Sequence, residues 1–289
     1  MATLRAAAIT AVFVTVSLLL MPVQWLALKL HARWRRTLPH VYHRFICRLM
    51  GMRITVLGTP VVGGVLLAAN HSGWLDIPIL SAVAPVSFVA KQEVNQWPFF
   101  GTLARLQRTV FIRRERSKAL EDRDNIRRRL IDGDALVIFP EGTSGDGNRV
   151  LRFKSALLSA AELAMGEGDL AARHAPVQPV SVSYVGLHGL PMGRENRPFF
   201  AWYGDMDLVS HLWEAMGTGP IDVVVEFHQP LTIDEAGGRK ELAAAAETAV
   251  RGGLVRALSG ANAAAAAPHR DDDLIEAMEA DDSEIDDAA

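Results

Sequence analysis

Acidic residues are missing from the first 75 positions of this 289-residue chain: Asp76 is the first, and eight bases precede it, at Arg5, Lys29, Arg33, Arg35, Arg36, Arg44, Arg48 and Arg53. Cysteine is almost missing too. The single Cys47 excludes an internal disulfide and with it the disulfide-stapled scaffolds of small secreted domains. There is no G-x-x-x-x-G-K-[ST] loop to cradle nucleotide phosphates. No serine sits in a G-x-S-x-G elbow: around Ser144, Gly142 stands two before, but Asp146 two after. That argues against a lipid hydrolase. Histidines and acids form no cluster with metal-ligand spacing, so no metal or cofactor is expected. No internal repeat is visible.

What is present is asymmetric. The net charge of −3 combines a tail, 268–289, at −9 with a remainder at +6. Ala6 to Leu28 is a run of 23 uncharged residues. As a helix it would measure about 34 Å against a hydrocarbon core of roughly 30 Å. It is too long for a signal-peptide core, and bases follow it in place of a cleavage site. It reads as a membrane anchor, with Pro22 and Gln24 allowing either a kinked span or a helix pair dipping into one leaflet. Trp25 and Trp34 stand within a basic collar suited to an anionic membrane surface. The heavier basic flank places the rest of the chain on the cytoplasmic face of the inner membrane. Three regions follow: an anchor and collar over 1–38, a catalytic domain over 39–260 and a disordered acidic tail over 261–289.

The middle of the chain alternates. Short apolar, β-branched runs at 53–57, 65–69, 86–90, 109–112, 135–139 and 177–184 predict strands. Helical patterns lie between them at 77–83, 93–106, 117–131 and 154–165. Beyond these come a strand at 199–203, a helix at 208–216, a strand at 223–227 and a helix at 240–258. The class is α/β: a mixed, mostly parallel sheet covered by helices.

Three strand ends carry chemistry. The run ending at Ala69 delivers Asn70-His71-Ser72 to the carboxyl edge of the sheet, where open α/β folds place ligands. Asp76 lies about one helical turn on. It can accept a hydrogen bond from one ring nitrogen, fixing the tautomer and leaving the other as a base useful near neutral pH. This is a Ser-His-Asp triad without its nucleophile, a role open to a bound hydroxyl. The plain alternative is that Asp76 or Ser72 caps the following helix. A second strand ends in Phe139-Pro140-Glu141-Gly142-Thr143-Ser144, a glycine-rich acidic loop able to approach a ligand closely. A third ends in Arg113-Arg114, whose guanidinium groups suit phosphate. Lys91 follows its own strand and can contact phosphate. His40 and His43 fall on a basic helix as surface or interface residues, and Trp97, Phe99 and Phe100 as an apolar plug or part of an acyl-chain groove.

Taken in order, these blocks resemble the glycerolipid acyltransferases of the lysophosphatidic acid acyltransferase type. N-H-x4-D is met by Asn70, His71 and Asp76; an F-I-D-R-like block by Phe111 to Arg114; F-P-E-G-T-[RS] by Phe139 to Ser144; a proline in an apolar strand by Pro179; and an F-K element by Phe153-Lys154. Arg113 departs from the pattern, where the family often has an acid. The resemblance spans about residues 40 to 230. It implies that His71, oriented by Asp76, deprotonates the hydroxyl of a lysolipid acceptor. That oxygen then attacks the thioester of acyl-CoA or acyl-carrier protein, a co-substrate and not a cofactor. Arg114, Glu141 and Gly142 would hold the acceptor, with Thr143, Ser144 and Lys91 alongside. Backbone amides near the first helix would stabilise the oxyanion. Lysophosphatidic acid is the first acceptor implied. Lyso-ornithine lipid is the alternative, because 97–116 and 141–149 are also similar to the bacterial lyso-ornithine lipid acyltransferases, whose acceptor carries no phosphate. A non-catalytic membrane scaffold would give His71, Asp76 and Glu141 no reason to occur together. Nucleic acid is not an expected partner.

Overall fold

The computed structural model describes residues 1–113, 118–162 and 174–261. Chain order is α1 (Ala2–Lys29), α2 (Thr37–Leu49), β1 (Met52–Leu57), β2 (Val65–Ala69), α3 (Asp76–Val83), β3 (Val86–Lys91), α4 (Phe100–Leu106), β4 (Val110–Ile112), α5 (Ala119–Ile131), β5 (Ala135–Ile138), β6 (Val177–Leu187), β7 (Leu190–Pro191), α6 (Leu208–Thr218), β8 (Ile221–Phe227), α7 (Ile233–Ala236) and α8 (Arg239–Leu258). The strands form one mixed sheet in the order β1-β8-β6-β2-β5-β3-β4, with β7 paired to β6. Apart from the antiparallel β6–β8 and β6–β7 pairs, the pairings are parallel. The expected fold class is therefore present.

Strand β2 shows why the sheet is covered on both faces. All five of its residues are buried. Successive side chains point to opposite faces, so Leu67 joins a core with Phe13, Ile46, Ile79 and Leu212. Leu66 joins the opposite core with Ile126, Leu130, Leu158, Leu242 and Val250. Each such fully buried leucine contributes roughly 1.5–3 kcal/mol.

Helix α1 continues through Pro22. Its buried residues Ala6, Ile9, Phe13, Ser17, Gln24 and Ala27 recur at spacings that keep them on one stripe. That stripe lies along the domain. Arg5 donates to the Met50 and Met216 carbonyls, Phe13 meets Phe99 edge to face, Ser17 bonds the Tyr42 hydroxyl, and the Gln24 amide donates to the Leu106 and Arg35 carbonyls. The other face exposes Leu4, Val12, Leu18, Leu19, Val23, Trp25 and Leu26. Phe99 thus serves as the expected apolar plug.

Four expectations change. The strand at 199–203 is instead a 3-10 turn, Arg197–Phe199, followed by irregular chain, because Pro198 in the first positions of the turn favours it and Trp202 bonds outside the sheet. The helix at 93–106 breaks at Trp97-Pro98-Phe99, where Phe99 takes a φ of 61°. Only a 3-10 segment, Gln92–Gln96, and α4 remain of it. The helix expected from Lys154 is a 3-10 helix over Ser155–Glu162, its end lying outside the described residues. Finally, His40 and His43 are not surface residues: the His40 ring bonds the Ser81 carbonyl and the His43 ring bonds the Ser81 hydroxyl. Burial pushes the His43 pKa down to about 3, so this ring stays neutral. The start of the 117–131 helix, Arg114 and the acidic tail from 262 onward also lie outside the described residues.

Candidate active site

Adjacent parallel strands β2 and β5 pair Ala68 with Ile138. Counting three residues on from each puts His71 opposite Glu141 at the carboxyl edge. The two loops are stitched together there. The His71 amide donates to Glu141 Oε1 (3.3 Å), and the Gly145 amide donates to the His71 carbonyl (2.8 Å). The His71 ring stacks on Phe139 at 3.9 Å between centroids. Asn70 anchors the turn from behind: its side-chain amide exchanges two hydrogen bonds with the backbone of Val182 on β6.

Asp76 is fully buried, and both its oxygens are occupied. Oδ2 accepts from His71 Nδ1 (2.9 Å), the Ser72 amide (2.6 Å) and the Gly73 amide (3.0 Å). Oδ1 accepts from the Tyr184 hydroxyl (2.7 Å). An ionised carboxylate can only accept, so Nδ1 carries the proton and Nε2 keeps its lone pair. The His71 side chain is 22% exposed while Asp76 is not exposed at all. This is a base at the rim with its orienter sealed beneath it. Capping is not what Asp76 does, since no side chain caps α3. The same geometry narrows the expectation for the oxyanion: the Ser72 and Gly73 amides point to Asp76 and are not free to bind substrate.

Two glycines are dictated by the backbone, Gly73 by close approach and Gly142 by its left-handed conformation. A Cβ on Gly73 would lie 2.6 Å from the Trp202 nitrogen, whose N–H donates to the Ser72 carbonyl. Gly142 has a φ of 71° and would meet Lys154 Nζ at 2.8 Å. Trp202 closes the wall with Trp97 in an edge-to-face contact, and the Ser144 hydroxyl donates to the Trp202 carbonyl.

Glu141 is the electrostatic outlier. Its Oε2 is buried with no hydrogen-bond partner among the described residues. Burial pushes its pKa up to about 8, with Asp76 and Glu247 adding repulsion, against the hydrogen bonds from the His71 and Leu151 backbones. It is therefore largely a neutral acid at pH 7.

The other predicted residues divide. Thr143 is exposed on the loop. Lys91 is exposed at the end of β3, where Phe88 pairs with Val137, so it faces the same edge opposite Pro140. Arg113 does not converge. Strand β4 is three strands from β2, about 14 Å at sheet spacing, and the Arg113 guanidinium pairs with Asp122 and Glu121 of α5 (both 2.9 Å). Tyr184, Trp202 and Arg197 were not singled out by sequence. Arg197 bonds the Tyr184 and Met192 carbonyls and Asn148. Both faces of β6 are buried, so no alternation marks the tyrosine. Among the described residues no group of three or more His, Cys, Asp or Glu side chains could hold a metal ion.

Known proteins resemble this chain in the same region. A family model described as Acyltransferase matches residues 53–183, which contain both stitched loops. The lyso-ornithine lipid O-acyltransferase of Brucella abortus is 46% identical over 260 residues, covering 89% of this chain and 97% of the relative. The chain belongs to the lysolipid acyltransferase family. Another acyltransferase relative, the lyso-ornithine lipid O-acyltransferase of Rhizobium meliloti, is 45% identical over 88% of this chain. The 1-acyl-sn-glycerol-3-phosphate acyltransferase of Neisseria gonorrhoeae is 34% identical over 57% of the chain and 59% of the relative. In fold, the acyltransferase matches the crystal structure of the 1-acyl-sn-glycerophosphate acyltransferase of Thermotoga maritima, with a TM-score of 0.62, 21% identity and 89% of this chain covered.

Proposed function

We propose that this acyltransferase esterifies the free hydroxyl of lyso-ornithine lipid, with His71 as general base. The carrying observation is the His71 Nδ1–Asp76 bond, with the carboxylate sealed and, among the described residues, no hydrogen bond to Nε2 at the strand edge. Nε2 takes the proton of the acceptor hydroxyl. The oxygen attacks the thioester carbonyl of acyl-CoA or acyl-carrier protein, and a tetrahedral oxyanion forms. As it collapses, the C–S bond breaks and the imidazolium returns the proton to the departing thiolate. The products are an ester and a free thiol. Glu141, protonated near neutral pH, adds a neutral acid beside the reacting groups. Gly142, Thr143, Ser144 and Lys91 line the same edge for the substrates, and Arg114 follows β4 in sequence.

Acceptor choice rests on three supports. The Brucella and Rhizobium relatives, named for lyso-ornithine lipid, match more of the chain at higher identity than the Neisseria relative named for 1-acylglycerol-3-phosphate. Arg113 is held by α5. The Ser144 hydroxyl is committed to Trp202 and offers no positive charge. Lysophosphatidic acid, the first expectation from sequence, becomes the second reading, favoured by the Neisseria relative and by the exposed cation Lys91.

For the membrane, α1 supports insertion in the plane of the inner membrane's cytoplasmic face. It is about 42 Å long and packs on the domain from its first turn to its last. A transverse orientation would drag the domain into hydrocarbon. Its exposed apolar face can enter one leaflet while Lys29 and the collar meet anionic head groups.

The test is thioester-dependent acylation by the detergent-solubilised protein, with lyso-ornithine lipid and lysophosphatidic acid offered in parallel. Product from the first acceptor, lost in His71→Ala, is expected. Product from lysophosphatidic acid alone would reverse the acceptor assignment, and full activity in His71→Ala would remove the mechanism.

A further inference from the structure

The histidine–aspartate pair has a third member. We infer that Tyr184 is a positioning residue, setting through Asp76 how strongly His71 holds its proton. The inference rests on the reading of His71 as general base.

Tyr184 arrives from β6, 108 residues beyond Asp76 in the chain, and its hydroxyl donates to Asp76 Oδ1 at 2.7 Å. It is 1% exposed, and its ring stacks on Phe200. Its carbonyl is held by Arg197, so its backbone is fixed as well. Four donors surround Asp76, but they act differently. The Ser72 and Gly73 amides share Oδ2 with His71 Nδ1 and fix the turn. Tyr184 alone occupies Oδ1 among the hydrogen bonds of the described residues. Burial and the adjacent carboxylate hold the Tyr184 hydroxyl well above its ordinary range, so it remains a donor at every working pH.

An O–H donated to a carboxylate draws charge away from it. With Tyr184 in place, Asp76 stabilises the imidazolium enough to orient the ring without trapping the proton. Without the hydroxyl, the full carboxylate charge falls on His71. The imidazolium is then favoured and the free base appears only at higher pH. The other ionisable groups facing this cluster are few. Glu141 comes from the loop after β5 and Glu247 from α8, the latter acting on Glu141. Cys47 of α2 is kept neutral, with burial pushing its pKa up to about 12. Arg197 and Lys154 lie on the flanking loops.

The experiment is the pH dependence of kcat/KM for the solubilised protein and its Tyr184→Phe variant. Losing this hydrogen bond is expected to lower kcat at pH 7 by up to about three-fold, the loss of free base that a half-unit shift allows, with KM for the lysolipid changed less than about two-fold. The acid limb should move to higher pH by roughly half a unit. A purely structural role would scale the curve down and leave the limb in place. A limb unmoved, or moved to lower pH, would overturn the inference. Should Tyr184→Phe fail to fold, Tyr184→3-fluorotyrosine keeps the shape and strengthens the donor. Its limb should move the opposite way, to lower pH, and an unmoved limb there counts against the inference equally. Activity surviving in His71→Ala would overturn the base reading itself. An inactive His71→Ala beside unmoved limbs at position 184 would overturn only the role of Tyr184.

Discussion

Two buried aspartates sit at opposite ends of the sheet. Asp134 precedes β5 at the amino-terminal edge and is surrounded by Arg36, Arg108 and Arg129. Asp76 stands at the carboxyl edge among two amides, a phenol and an imidazole. Burial would raise the pKa of Asp134, but the Arg129 and Arg108 charges outweigh it and hold the group below its ordinary range. Guanidinium groups do not titrate, so this cluster fixes geometry and has nothing to exchange. Around Asp76 one partner can gain and lose a proton and reaches the surface. The residue type and the burial are the same; the titratable partner makes one of them a reactive centre and the other a rivet between Arg36, α4 and α5. Glu141 completes the contrast as a carboxyl with a buried, unpartnered oxygen, which its surroundings keep protonated.

The contrast can be pressed hardest at His71 and Asp76. His71→Ala and Asp76→Asn are each expected to lower kcat by about 10²–10⁴-fold, with thermal unfolding little changed, measured by acyl transfer and calorimetry on one preparation. Asp134→Ala should do the reverse. Stranding three arginines costs about 3 kcal/mol of folding stability, read by denaturant unfolding, while activity per folded molecule stays near wild type. A smaller effect belongs to Asn70→Ala, which strands the Val182 backbone. The expected loss is roughly 1–3 kcal/mol, accompanied by reduced kcat because the His71 turn loosens. The last comparison is one of pH dependence and concerns Glu141→Gln. A folded-state pKa of about 8 against an ordinary 4.5 means that the unfolded chain releases its proton first. This contribution to stability is full below about pH 4.5 and falls as pH rises to about 8. The glutamine lacks that dependence, so the melting-temperature difference between variant and wild type should grow across that window. A constant difference would mean that Glu141 ionises normally.

Much of this was legible in the residues. His71, Asp76 and Glu141 follow strands marked by short apolar runs, and strand ends on one edge of a parallel sheet must be neighbours if the strands are. What the sequence left open was which strands are neighbours. Arg113 follows a strand as clearly as Glu141 does, but β3 and β5 stand between β4 and β2, so it serves α5 instead. His40 and His43 looked like surface residues because their helix is basic; Ser81 of α3 draws both inward. The segment at 199–203 had the apolar content of a strand, yet the Trp202 amide is taken by Ser72.

The sequence by itself determined most of the elements, the asymmetric charge, the apolar first helix and the pairing of a histidine with the aspartate five residues on, since these depend on local spacing and on which side chains water rejects. Tertiary structure alone decided that Tyr184 reaches Asp76, that the Ser72 and Gly73 amides point inward, and that α1 lies along the domain. Each of these joins positions far apart in the chain or depends on how a turn is aimed. Only the folded sheet, by fixing strand order and register, brings the partners within hydrogen-bonding distance.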